Sequence, residues 1–247
     1  MTFITLLLCL SLERFLHKGN LLARFNWFEE YVDKIHQLTQ DRSWTQHHYI
    51  SLLLAVLPVV IPVALIYGLS VLLIHGLLAF LIGAFILFYC LGPMNIYDTE
   101  SEHQPIFWQA NETLFAVIFW FALLGPIAAL VYRLVERSAH IHVSYPVLGK
   151  SAGPVRGVLD WLPIRLFSLL CALAGNFVRT SQFWLDNLLR DIQFNRELLE
   201  KSGRIALDLQ ETAELTPEDY PNALRLIDRS LVIFLTIVFA VTLGVLL

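Results

Sequence analysis

Residues 50–91 read ISLLLAVLPVVIPVALIYGLS and then VLLIHGLLAFLIGAFILFYCL, from Ile50 to Leu91 without a single Asp, Glu, Lys or Arg. A helix needs about 20 apolar residues to cross a bilayer core of roughly 30 Å. This run is about twice that length. It predicts a helical hairpin, Ile50–Ser70 and Val71–Leu91, with its turn inside Tyr67–Gly76, where Gly68 and His75-Gly76 interrupt the apolar pattern. Isolated strands cannot satisfy their backbone in lipid, and a barrel would show short alternating segments instead.

Working outward, further apolar blocks lie at 113–135, 158–175 and 230–247, and a shorter one at 3–15 ends in Glu13-Arg14. Pro221 is placed to begin a helix that runs into the last block. Two segments carry helical periodicity with a polar face. In residues 21–38, Leu21, Phe25, Phe28, Val32 and Ile35 share one face, and Arg24, Glu29, Glu30, Asp33 and Lys34 take the other. In residues 183–199, Leu185, Leu188, Leu189 and Ile192 line up, with Leu198 and Leu199 extending the face. Such helices lie at headgroup level. The expected fold is therefore all-α: a polytopic helical membrane protein, one membrane domain over 1–247, with five or six membrane segments plus amphipathic interfacial helices.

Composition agrees. The chain is 57% hydrophobic and 15% charged, where soluble domains average about 45–50% and roughly 25%. A net charge of −4 argues against a nucleic-acid partner; membrane lipid is the partner the composition implies. Cys9, Cys90 and Cys171 all sit in apolar blocks, far apart, and read as small packing residues rather than a disulfide framework. No cleavable signal is visible at the N-terminus.

Orientation follows from the loops. If all six blocks span, 17–49, 92–112 and 179–229 share one side and hold 4, 0 and 7 Lys or Arg. The opposite side holds Arg137, Lys150, Arg156 and, at its edge, Arg133. The more basic side is expected to be cytoplasmic, with both termini outside.

Catalytic signatures fail one by one. Gly149-Lys150-Ser151 ends like a P-loop, but the required glycine at 144 is Ser144. No nucleophile elbow, zinc motif or dinucleotide fingerprint is present. His140 and His142 lack a neighbouring ligand set. Asp98, Glu100, Glu102 and His103 make an acidic loop that reads as solvated rather than as a cation site. No metal or cofactor is assigned.

The informative residues are polar groups in or beside apolar blocks, where an unpaired charge costs about 3 kcal/mol or more. Asp160, Pro163 and Arg165 stand at the mouth of the 158–175 block. Pro163 suits a first helical turn, which would place Asp160 at the positive helix end and leave Arg165 to reach a carboxylate or phosphate. The alternative is an interfacial anchor with Trp161 in the aromatic belt. Gly125-Pro126 should kink the 113–135 block; Tyr132-Arg133 closes it, and Asn111-Glu112 precedes it.

The run Phe107–Phe121 (FWQANETLFAVIFWF), followed by Leu124-Gly125-Pro126 and Tyr132-Arg133-Leu134, resembles the AmpE family. So do Val158–Leu166 (VLDWLPIRL) and the Leu-rich N-terminus ending in Glu13-Arg14. The family's members are bacterial inner-membrane modulators of inducible β-lactamase expression. They are similar in turn to adenosylcobinamide-phosphate synthases, which share a Gly-Pro, a Tyr-Arg and an Asp, Pro, Arg run. The resemblance implies a multi-pass inner-membrane protein of regulatory type, linked to cell-wall recycling and the response to antibiotic. It also implies a site for an anionic small-molecule ligand built from Asn111, Glu112, Tyr132, Arg133, Asp160 and Arg165. Which protein partner receives the signal is not implied. The alternative it leaves open is an ATP-dependent amide-forming membrane enzyme, with Mg²⁺ on Asp98, Glu100 or Glu112. In this chain Leu134–Ser138 lacks the Asp that follows Tyr-Arg in the synthases. A transporter would call for an internal repeat, and none is evident.

Overall fold

A computed structural model describes residues 2–15, 25–39, 48–73, 76–91, 105–141, 145–211 and 215–246. Among these every regular element is helical. Four helices are long and apolar enough to cross a membrane: Tyr49–Leu72, Ile106–Leu124, Pro146–Ala174 and Tyr220–Gly244. Leu77–Cys90 is a shorter apolar helix. The acidic loop 98–103 and residues 21–24 of the first amphipathic segment lie outside the described residues.

The chain divides into two compact units. Unit 1 comprises Met1–Pro93 and Val117–Arg156; unit 2 comprises Met94–Ala116 and Gly157–Leu247.

Unit 1 contains α1 (Thr2–Phe15), α2 (Asn26–Thr39), α3 (His48–Leu73) and α4 (Leu77–Cys90). It also holds nearly all of α6 (Ala116–Leu124), and α7 (Pro126–His140). The expected hairpin is α3 and α4, turning at Gly76, whose φ of 81° is a left-handed conformation that favours glycine. α3 packs on α4 and α7, and α4 on α1 and α7. α3 keeps Pro58 and Pro62 in its interior, tolerable where neighbouring helices and local adjustments satisfy the freed carbonyls. It exposes Leu53, Ile61, Leu65, Leu69 and Leu72. So much exposed apolar surface is stable against acyl chains and not against water. α2 buries Phe28 and Val32 and turns Glu29 and Glu30 outward, as its period requires. The expected break at Gly125-Pro126 is present: Gly125 has φ 87° and Pro126 opens α7.

Unit 2 contains α5 (Ile106–Ala110), a π-helical turn (Asn111–Phe115), α8 (Pro146–Ala174) from Gly157 onward, α9 (Phe177–Asn187), α10 (Asn195–Ala206) and α11 (Tyr220–Leu246). Its core is aromatic: Phe115 stacks on Phe167 at 4.5 Å and meets Phe234 at 5.1 Å. Phe107 packs where α10 carries Gly203, and a Cβ there would collide with the Phe107 ring. Pro221 falls in the first turn of α11, which continues unbroken into the apolar block.

Two expectations need correction. The 158–175 block does not begin a helix at Pro163; α8 starts at Pro146, so Pro163 is interior and Asp160 lies mid-helix, away from any positive helix end. The periodic segment 183–199 is not one helix. α9 stops at Asn187, residues 188–191 turn, a short 3-10 stretch covers Ile192–Phe194, and α10 starts at Asn195. The reason is a buried cation, described next, that captures the backbone carbonyls of the turn.

Candidate functional site

In unit 2 the π-helical turn inserts an extra residue into the helix after Ala110 and re-aims Asn111. Asn111 is completely buried, and its Nδ2 donates to Asp160 Oδ1 at 3.1 Å. Its Oδ1 is buried with no hydrogen-bond partner among the described residues. A buried amide oxygen without a donor costs on the order of 1–3 kcal/mol. Glu112 and Asp160 are buried as well, and Thr113 turns its hydroxyl back to the Gln109 carbonyl at 2.7 Å.

One turn beyond Asp160 on α8, Arg165 is buried to 3% exposure. Its Nε donates to the Leu188 carbonyl at 3.1 Å, and one Nη donates to the Arg190 carbonyl at 2.7 Å. The other Nη donates to the Trp161 carbonyl at 3.2 Å and to Asn195 Oδ1. The guanidinium carbon also sits 4.3 Å from the centre of the Trp161 ring. Four of the roughly five donors a guanidinium offers are therefore taken by internal oxygens. Asn195 passes the link on, donating from Nδ2 to the Gly157 carbonyl at 2.9 Å. Trp184 Nε1 donates to the carbonyl of Arg165 itself at 2.8 Å. Arg165 thus holds the α9–α10 turn in place rather than facing outward.

Glu200 on α10 closes the other end of this polar set. Its Oε1 accepts the Trp108 backbone N–H at 2.7 Å, and Arg204 stands 4.0 Å from Oε2. Burial pushes its carboxyl above the usual range, partly offset by the Trp108 N–H and Arg204.

In unit 1 Tyr132 and Arg133 are buried on α7. Arg133 donates from Nε to the Cys90 carbonyl at 2.7 Å and from Nη to Glu136 at 2.9 Å. Glu136 also meets His140 Nε2 at 3.1 Å and Arg137 at 3.7 Å. Burial alone would raise its carboxyl, but Arg133, His140 and Arg137 together hold it down to about 2.

Of the residues expected to form a ligand site, the structure joins Asn111 to Asp160 directly and places Glu112 and Arg165 in the same unit. Arg133 and Tyr132 belong to unit 1. Reasoning from sequence missed Asn195, Glu200 and Glu136. Glu200 had a signal, an acid directly after Leu198-Leu199 on a face read as apolar. Glu136 had another, its i, i+3 spacing from Arg133. Cys9, Cys90 and Cys171 are buried, and none forms a disulfide among the described residues.

No protein-family model, curated protein or solved structure matches this chain.

Proposed function

We propose that this chain is an AmpE-like regulatory protein of the bacterial inner membrane, acting in inducible β-lactamase expression and cell-wall recycling. The observation that supports this reading is the Asn111–Asp160 hydrogen bond. It joins the two segments that carry the resemblance, 107–121 and 158–166, through buried polar groups. In this reading α1, α3, α4, the region from 113 to 135, α8 and α11 are the six membrane segments, and both termini face out.

Signalling needs two arrangements of different ligand affinity. Arg165 supplies a means. An anionic ligand that captured its guanidinium would displace the Leu188 and Arg190 carbonyls and release the 188–191 turn. Asn111, Glu112 and Asp160 would set the polar environment of that event.

The test is replacement of Asp160 and of Arg165, separately, by Ala in a cell with an inducible β-lactamase. Membrane insertion is checked first and induction is then measured. Altered induction in at least one variant is expected. Normal induction in both, with normal insertion, overturns the proposal. Mg²⁺-dependent ATP hydrolysis by the purified chain, lost in the same variants, would replace it with the amide-forming enzyme reading.

A further inference from the structure

Unit 2 contains a second polar feature, distant in sequence from Asn111 and independent of the regulatory reading. A cleft of about 200 Å³ opens where α8 ends at Ala174-Gly175, α10 ends at Ala206-Leu207 and α11 begins. Arg225 and Arg229, one helical turn apart on α11, line it together with Asn222 and Asp219. Both arginines are exposed, and neither forms a hydrogen bond or ion pair with any described residue. Most other arginines of this unit differ: Arg165 is bonded as above, Arg179 pairs with Asp208, Arg190 lies over Phe194, and Arg204 stands by Glu200, while Arg196 on α10 is likewise exposed without a hydrogen bond or ion pair to a described residue but does not line the cleft.

Asp219 offsets only one of the two arginines. Its Oδ2 accepts both the Thr216 N–H at 3.1 Å and the Thr216 hydroxyl at 2.7 Å. With two arginines against one carboxylate, the lining keeps a net positive charge around a space large enough for a phosphate group.

Its depth is informative. The uninterrupted apolar part of α11 runs from Ser230 onward. In the reading of α11 as a membrane segment, Arg225 and Arg229 lie in the polar turns just before that apolar part, at the headgroup layer. α8 leaves its apolar stretch at the same cleft. Immediately after Gly175, Phe177 and Val178 on α9 are 52% and 63% exposed, apolar surface suited to the acyl boundary beneath a headgroup.

We propose that this cleft binds a phosphate group through Arg225 and Arg229, with Asn222 as an added donor. Two sources share that chemistry, an anionic phospholipid headgroup and a free phosphate.

The experiment uses the full chain purified in detergent. It is exchanged into nanodiscs of phosphatidylcholine doped with phosphatidylglycerol, and retained lipid is measured by native mass spectrometry. Binding of inorganic phosphate is measured in parallel by calorimetry. The variants are R225Q/R229Q and, as a control on a charge outside the cleft, K201Q. With about 1 kcal/mol per cationic side chain near a membrane surface, the double variant should lose roughly thirtyfold in affinity. Selective retention of phosphatidylglycerol, lost in R225Q/R229Q and kept in K201Q, supports the site with lipid as its source. Inorganic phosphate binding with the same variant pattern, and no lipid selectivity, supports it with a soluble source. Equal retention of both lipids together with no binding of inorganic phosphate, or binding unaffected by R225Q/R229Q, overturns it. Circular dichroism of the double variant must match the parent; since both side chains are exposed and unpaired, it should.

Discussion

Asn111 and Asp160, 49 positions apart in the chain, share a hydrogen bond of 3.1 Å between fully buried side chains. In a unit whose core is largely aliphatic and aromatic, a polar contact of this kind fixes which helix faces meet. Apolar packing alone tolerates slippage. The π-helical turn at Asn111–Phe115 is the backbone adjustment that brings the amide to the carboxylate. It leaves Asn111 Oδ1 without a partner among the described residues.

Replacing Asp160 by Ala removes the acceptor and leaves the Asn111 amide unpaired in a dry environment. The expected cost is about 1–3 kcal/mol, read as a lower unfolding temperature in detergent. Asp160→Asn keeps the shape and one acceptor oxygen and should cost less. Equal stability of D160A and the parent would show that the pair contributes nothing to packing.

Gly203 allows α10 to lie against Phe107. A Cβ at 203 would fall inside the ring's contact distance, so Gly203→Ala should destabilise by about 1–3 kcal/mol through overpacking. Shrinking the ring restores room, so the double variant Gly203→Ala with Phe107→Leu should be less damaged than the two single costs added together. Additive costs in that double-mutant cycle would mean that the two residues are not in contact.

How far this architecture could be read from sequence varied with the physics of each segment. The α3–α4 hairpin, the break at Gly125-Pro126 and the start of α11 near Pro221 were legible, because hydropathy, glycine and proline act locally. The turn at 188–191 was not. Leu185, Leu188, Leu189 and Ile192 keep a helical period, and what ends the helix is Arg165, more than twenty positions away, claiming its carbonyls. Asp160 was legible as an unusual residue, but its helix start was misplaced because Pro163 has the local preference of a first turn. The surrounding bundle overrode that preference and carried α8 back to Pro146. Within the candidate site, the polar residues were visible by their cost in an apolar setting. Their partners were not, since pairing is a property of the packed chain.

Arg165 makes a sharper test of that long-range link. Arg165→Met keeps bulk and removes the donors, leaving the Leu188 and Arg190 carbonyls and Asn195 Oδ1 to find water. The 188–194 segment should become a protease-sensitive site in the detergent-solubilised chain, with cleavage faster than in the parent by about tenfold or more if the turn opens at a cost lower by 1.4 kcal/mol. Arg165→Lys, a single point charge without the planar fork, should fall between the two. Unchanged cleavage in R165M would mean that the turn is held by its own sequence.

Two buried acids should bend the stability profile in opposite directions. Glu136 has its carboxyl lowered to about 2 within its group of Arg133, His140 and Arg137. Its contribution is fully present above its unfolded value of about 4.3 and is lost as pH falls through the folded value. Glu200 has its carboxyl raised, chiefly by burial. Folding is favoured while it keeps its proton, so that contribution is present below about 4.3 and is lost as pH rises through the folded value. Glu136→Gln should therefore be less stable than the parent at pH 7, by an amount that shrinks as the pH approaches 2. Glu200→Gln keeps an acceptor for the Trp108 N–H without the buried charge. It should equal or exceed the parent at pH 7 and remove the decline on the alkaline side of its titration. Unfolding temperatures of the parent and both variants, taken from pH 3 to pH 8 in one detergent, separate the effects. A Glu200→Gln variant that loses stability only at neutral pH would mean that the ionised carboxylate, paired with Arg204, stabilises the unit.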